Sequence, residues 1–185
     1  MNILIVGNGL HTNKRIIPSL LDVEKVRSID IVYGSTNKTI LNHNKINYFN
    51  KEDDSLNPEY SLVVYATPPS EHIKNYYKYF NFSDNHLIEK PLTTSLKEIK
   101  NLKFKKLYSE KNVFESLMYL HHPVIKIIKE TLSNLQIQEI KTSFKVPHQD
   151  SSHHRYSKNK GGGSILDQGI YPISLITYLF GSDFK

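Results

Sequence analysis

Asn2-Ile3-Leu4-Ile5-Val6-Gly7-Asn8-Gly9 decides how the rest of the chain is read. Its apolar run from Ile3 to Val6 has no polar alternation, which suits a strand buried on both faces of a parallel sheet. Two glycines follow at once. The segment from Lys14 to Leu21 then places Ile16, Ile17, Leu20 and Leu21 at helical spacing, interrupted only by Pro18. A strand, a Gly-x-Gly turn and a helix bring backbone N–H groups and a helix N-terminus to one point, where two phosphate charges are stabilised. Thr12 occupies the third small position of that fingerprint.

Strands and helices keep alternating beyond this unit. Ile29 to Tyr33 and, more weakly, Ile46 to Phe49 read as strands, and Leu62 to Ala66 as another that stops at Thr67-Pro68-Pro69. Ser70 is placed to cap a helix running to Phe80, with Glu71 in its first turn. His86 to Glu89 forms a further strand ended by Pro91. Ser95 begins a helix whose Leu96, Ile99 and Leu102 share a face, and Val113 to Met118 closes the series as a strand. The pattern predicts an α/β fold: a Rossmann-type doubly wound parallel sheet over residues 1–120, followed by an incomplete α+β domain over 121–185. In the second part a helix to about Leu132, a strand over Ile137 to Val146, a polar loop from Pro147 to Lys160 and a helix from Ser164 to Phe180 are expected.

Composition narrows the function classes. The 185 residues contain no cysteine, which removes disulfide frameworks, thiolate metal sites and cysteine nucleophiles together. No run approaches the roughly 18 apolar residues that span a bilayer, and the first apolar run is too short for a signal-peptide core, so a cytoplasmic protein without a membrane partner is expected. The net charge of +6 comes from scattered lysines at helical spacing, with no recognition helix or RNA-binding aromatic strand beside them. Nucleic acid is therefore not an expected partner. His121, His122, His153 and His154 lack a carboxylate at metal-ligand spacing, and no metal site is expected.

Ligands of such sheets bind at the carboxyl ends of the strands. The end of the second strand reads Tyr33-Gly34-Ser35-Thr36-Asn37-Lys38, with no carboxylate to hold two ribose hydroxyls or to repel a 2′-phosphate. Two hydroxyls and an ammonium there favour NADP(H), with NAD(H) as the alternative.

Three further stretches, Ala66-Thr67-Pro68-Pro69-Ser70-Glu71-His72, Glu89-Lys90-Pro91-Leu92 and Gly161-Gly162-Gly163-Ser164-Ile165-Leu166-Asp167-Gln168-Gly169-Ile170-Tyr171-Pro172-Ile173, stand in order behind the Gly-x-Gly turn. In this register the chain resembles the Gfo/Idh/MocA family of nicotinamide-dependent oxidoreductases over essentially its whole length. The resemblance implies cofactor contacts at Gly7, Asn8, Gly9, Leu10, Ser35, Thr36, Lys38, Thr67, Pro68, His72, Glu89 and Lys90. It also implies catalytic roles for Lys90, Asp167 and Tyr171. Tyr171 stands where many members carry a histidine, and with Glu115 to Pro123 it is similar to the dihydrodiol dehydrogenase, glucose-fructose oxidoreductase and sugar-nucleotide ketoreductase branch. Leu120 departs from that branch, where an arginine is usual.

The chemistry of that position follows from residue type. Asp167 and Tyr171 are at i and i+4, hence expected on one helix face, and a phenol can donate a proton to a carbonyl as hydride arrives. A nearby ammonium such as Lys90 would ease the loss of that proton. The implied reaction moves hydride between nicotinamide and a keto or hydroxyl group of a sugar or sugar nucleotide. Members of the family are commonly nearly twice this length, with a large sheet that carries substrate and dimer contacts, so a homo-oligomer is expected of the full-length form. A C-terminally truncated chain is expected here, with a non-catalytic dinucleotide-binding remnant or regulatory module as the alternative reading.

Overall fold

The computed structural model describes residues 1–34, 40–51, 55–56, 59–104, 110–147, 156–157, 160 and 162–182. The chain divides into two compact units, Met1–Glu115 and Ser116–Lys185. In the first, strands β1 (Asn2–Val6), β2 (Ser28–Tyr33), β3 (Ile46–Asn50), β4 (Leu62–Tyr65), β5 (Asn85–Glu89) and β6 (Asn112–Ser116) form one sheet in the order β3-β2-β1-β4-β5-β6. β1 pairs in parallel with β2 and β4, β2 with β3, and β4 with β5. Strand order reverses between β1 and β4, so a crevice opens above their carboxyl ends.

Both faces of the central strands are covered, which is why their sequences are continuously apolar. On one face Ile3, Ile5, Ile29 and Ile31 pack with Ile17 of helix α1 (Ile17–Leu21). On the other, Leu4, Val6, Val32, Val63 and Tyr65 pack with Ile73 and Tyr76 of helix α2 (His72–Lys78). Each such side chain contributes about 1.5–3 kcal/mol when taken fully out of water. Asp30, a carboxylate in mid-strand, accepts hydrogen bonds from Tyr60 Oη at 2.7 Å and Asn47 Nδ2 at 2.8 Å.

Helix α1 begins differently from the expectation. Thr12–Ile16 winds as a wide π-type turn and only Ile17–Leu21 is α-helical, with Pro18 in its first turn. A proline has no N–H for the carbonyl four residues back and its ring collides with that carbonyl; widening the preceding turn relieves both. The second unit repeats the device: Ile165–Gly169 is π-wound just before Pro172 of the helix Ile170–Phe180.

Ser70 is not a cap. Pro68 takes the extended cap conformation (ψ 146°), Pro69 fills the first helical position, and Pro69–Glu71 forms a 3₁₀ turn closed by Glu71 N–H donating to Pro68 O at 2.8 Å. Helix α3 (Leu96–Phe104) exposes Leu96, so its expected apolar face is not buried at that residue. The second unit contains α4 (Pro123–Leu132) and α5 (Ile170–Phe180). The stretch 137–146, expected as a strand, carries no regular secondary structure and no ladder partner among the described residues. Alternation marks a chain that can pair, but a strand exists only where a neighbour supplies the other half of the ladder.

Candidate functional site

A cleft of about 570 Å³ opens at the carboxyl ends of β1, β2 and β4. Gly7 starts it. Its φ is +117°, and a Cβ there would lie 2.6 Å from the carbonyl oxygen of Ala66, so both backbone conformation and close approach demand glycine. Its N–H donates to Val32 O at 2.9 Å, while Ala66 N–H donates to Val6 O at 2.9 Å, which ties the turn to both neighbouring strand ends. A Cβ on Gly9, by contrast, would meet nothing within 4 Å. Gly9 lines the cleft, and its missing side chain leaves room for a ligand to reach the backbone.

Thr12 is fully buried, and its hydroxyl donates to Gly7 O at 2.9 Å. The residue standing in the third small position therefore closes the turn by a side-chain bond. Asn13 donates from Nδ2 to Asn8 Oδ1 at 2.7 Å and to Gly9 O at 2.9 Å. Its own Oδ1 is buried without a hydrogen-bond partner among the described residues. Being an acceptor, that oxygen would accept a hydrogen bond from an ordered water rather than meet a phosphate oxygen directly. A cradle that forbids one Cβ and leaves space at another fits a dinucleotide pyrophosphate.

The opposite wall comes from the β4–α2 turn. Thr67 and Pro68 line the cleft, and Asn75 Nδ2 donates to Thr67 Oγ1 at 3.1 Å. Leu10 is exposed beside the glycine turn. Ser35, Thr36 and Lys38, the residues expected at a 2′-phosphate, lie outside the described residues, as do His153 and His154. Lys51 at the end of β3 and Lys74 on α2 also line the cleft. Lys51 N–H donates to Tyr33 O at 3.0 Å, and its ammonium stands 3.9 Å from Glu71. Neither lysine was singled out from the sequence; only their positions at a strand end and one turn into a helix could have marked them.

His72 does not reach the cleft surface. It is fully buried beneath it, Nε2 2.8 Å from Thr67 O and Nδ1 3.0 Å from Pro91 O. Burial pushes its pKa below the ordinary histidine value, against the pull of the two carbonyls and of Glu89. The contacts of this residue are with the two turns that flank the cleft wall, through Thr67 O and Pro91 O. Glu89 at the end of β5 lies 3.4 Å from His11 Nε2, a neighbour that sequence spacing did not suggest. Lys90 follows, and the Lys90–Pro91 peptide is cis. Glu115 accepts from Leu92 N–H at 2.7 Å; burial raises its carboxyl above the usual range, opposed by that bond and by the Lys90 charge.

In the second unit, Asp167 lies in the π-wound turn and Tyr171 in α5, so their spacing of four crosses a change of winding rather than following one regular helix face. The Tyr171 ring stacks on Phe144 with centroids 4.3 Å apart and touches Tyr119 at 5.5 Å. Tyr119 Oη lies 2.6 Å from Ser174 Oγ and donates to Tyr171 O at 3.1 Å, and burial raises its pKa. His122 Nδ1 accepts from Val124 N–H at 3.2 Å and so caps α4. Among the described residues no group of three or more histidines and carboxylates could hold a metal ion, and no helix is long and apolar enough to cross a membrane.

Comparison with known proteins bears on this geometry directly. Residues 1–115 match the family model described as an oxidoreductase family with an NAD-binding Rossmann fold, GFO_IDH_MocA, and residues 136–185 match the GFO/IDH/MocA C-terminal domain. The chain belongs to the GFO/IDH/MocA family. A dTDP-3,4-didehydro-2,6-dideoxy-alpha-D-glucose 3-reductase of Actinomadura kijaniata is 33% identical over 102 residues, covering 54% of this chain and 31% of that protein. A trans-1,2-dihydrobenzene-1,2-diol dehydrogenase of Danio rerio is 26% identical over 144 residues, 74% of this chain and 41% of the relative. Among solved structures, a 3-ketoreductase from Actinomadura kijaniata in complex with NADP and TDP-benzene superposes with a TM-score of 0.76 at 22% identity. It covers 99% of this chain and 58% of its own. The chain thus spans between about a third and three-fifths of the length of these proteins.

Proposed function

We propose that this chain binds NADP(H) in the β1–β4 cleft and supplies the catalytic residues for hydride exchange with a keto or hydroxyl group of a sugar or sugar nucleotide. The observation that carries the reading is the paired glycine geometry: Gly7 admits no side chain, whereas Gly9 leaves the backbone open to a pyrophosphate. The family membership of residues 1–115 supports the nicotinamide cofactor, and the sugar-nucleotide reductase among the relatives supports the substrate class.

When bound, the nicotinamide supplies the hydride. Gly7, Asn8, Gly9 and Leu10 would hold the pyrophosphate; Thr67 and Pro68 would form the wall against the dinucleotide; Ser35, Thr36 and Lys38 would receive the 2′-phosphate. Glu89 and Lys90 follow at the end of β5. Lys90 would orient and polarise the carbonyl, Tyr171 would donate the proton from its phenol oxygen, and Asp167 would position the substrate or Lys90. In domain terms, residues 1–120 act as the dinucleotide-binding domain and 121–185 as the opening part of a substrate and oligomerisation domain. We place this activity in the cytoplasm.

Calorimetric titration with NADPH and NADH, together with nicotinamide absorbance assays on a panel of keto sugars and nucleotide sugars, tests the reading. NADPH should bind more tightly than NADH, and Tyr171→Phe and Lys90→Ala should each depress turnover by about two to four orders of magnitude, the usual range for losing a positioned acid. Tenfold tighter binding of NADH would reverse the cofactor preference, and undiminished turnover by Tyr171→Phe would remove its proton. Intact NADPH binding without turnover on any substrate would favour a non-catalytic dinucleotide-binding module.

A further inference from the structure

The Pro91–Leu92 peptide unit is held at both ends by side chains. His72 Nδ1 lies 3.0 Å from its carbonyl oxygen and Glu115 Oε1 lies 2.7 Å from its amide nitrogen. The two grips come from different parts of the first unit: His72 opens α2, and Glu115 lies in β6, at the far edge of the sheet from β3. His72 is fully buried and its other nitrogen rests on Thr67 O at 2.8 Å, in the wall of the cleft. Most turn peptides satisfy their polar groups with backbone or water. Here one plane is fixed by a donor on one edge and an acceptor on the other, immediately after Lys90.

We propose that His72 and Glu115 are positioning residues that grip the Pro91–Leu92 peptide and thereby set where the Lys90 ammonium stands relative to the cofactor cleft. The inference rests on the functional reading of Lys90 given above. A peptide pinned at both its C=O and its N–H cannot rotate about its flanking bonds without breaking a bond to a half-buried or buried group, which costs about 1–3 kcal/mol. The residue before the pinned pair inherits that restriction, because its side chain leaves the backbone one residue earlier. Glu115 adds a charge argument: the Lys90 ammonium acts on its carboxylate. The same residue therefore fixes the backbone after Lys90 and presents a carboxylate to its ammonium. His72, held neutral by burial, has one N–H for the two carbonyls it faces, so the grip on the peptide belongs to the tautomer protonated at Nδ1.

The test uses the full 185-residue chain and two readouts that do not depend on turnover. Amide hydrogen exchange at Leu92 reports the grip, and competitive acetylation of Lys90 against exposed Lys97 at one fixed pH, read by mass spectrometry, reports where the ammonium stands. Glu115→Ala should speed Leu92 exchange at least tenfold. Glu115→Gln keeps an acceptor oxygen and should leave both Leu92 exchange and Lys90 labelling close to those of the unaltered chain, whereas Glu115→Ala should change Lys90 labelling relative to Lys97 at least about twofold. His72→Gln, which can still donate, should perturb both readouts less than His72→Ala. Unchanged Leu92 exchange and unchanged Lys90 labelling in Glu115→Ala and His72→Ala would overturn the proposal. Should the alanine variants fail to fold, Glu115→Asp decides instead: its shorter side chain withdraws from the Leu92 amide, and unaltered Leu92 exchange together with unaltered Lys90 labelling there is equally fatal. NADPH titration of the unaltered chain runs alongside: its failure would sink the cofactor reading while leaving the labelling result to judge the grip.

Discussion

The two glycines of the turn should respond oppositely to the same substitution. In Gly7→Ala the new residue must hold φ near +117° and place its Cβ 2.6 Å from Ala66 O. A left-handed conformation costs an L-residue about 1–3 kcal/mol, and forcing β4 away from the overlap adds about 1–3 kcal/mol in the manner of an overpacked core. The total of about 2–6 kcal/mol is a large share of the 5–15 kcal/mol that holds a typical domain together. For a chain of this size it should lower the melting temperature by about 4–24 °C. In Gly9→Ala nothing lies within 4 Å of the added carbon and the backbone is not in the left-handed region, so stability should change by less than about 1 kcal/mol. The methyl group instead enters the cleft, and NADPH affinity should fall at least about tenfold, about 1.4 kcal/mol. Urea unfolding and calorimetric titration on both variants separate the effects. A Gly9→Ala protein with unaltered NADPH affinity would refute the pyrophosphate cradle, and a Gly7→Ala protein of unaltered stability would refute the close approach to Ala66.

Other consequences follow from the same contacts. Thr12→Val removes the hydroxyl that closes the turn onto Gly7 O and leaves that carbonyl short of a donor, which should cost about 1–2 kcal/mol in urea unfolding. His72 and His86 both have pKa values depressed by burial, so each contributes stability that is present above the unfolded value near 6.5 and is lost as pH falls through the folded one. The raised carboxyl of Glu115 works the other way: its contribution is full below the unfolded value and is lost as pH rises through the folded one. The urea midpoint should therefore drop between pH 7.5 and pH 5, less steeply in His72→Gln or His86→Gln; identical slopes in all three proteins would contradict the assignment. Tyr119→Phe deletes the hydroxyl between Ser174 Oγ and Tyr171 O and should loosen the first turn of α5, read as faster amide exchange at Ser174 and Ile173, at a cost of about 1 kcal/mol.

What could be read in advance, and what could not, divides along a physical line. A strand covered on both faces has to be apolar at every position, so Ile3 to Val6 announces itself, and a glycine after it marks a turn because no other residue tolerates that backbone. Such requirements act within a few residues. Pro18 was legible as a blemish, but whether the helix breaks, kinks or widens depends on what α1 packs against, and the answer, a wide turn before Ile17, came from Ile17 being buried against the sheet. His72 shows the limit more sharply. Its place in a motif at a strand end suggests contact with a ligand, and the same spacing serves equally well for a support beneath the ligand. The two roles separate only once β4 and β5 lie side by side and bring Thr67 O and Pro91 O, 24 residues apart in sequence, onto opposite edges of one ring. Lys51, Lys74 and Glu115 reach their neighbours through the same strand order. Residues that line a crevice can be guessed from where the strands end; residues that hold its walls in place belong to the topology, and a single chain's local pattern does not encode which strand ends will meet.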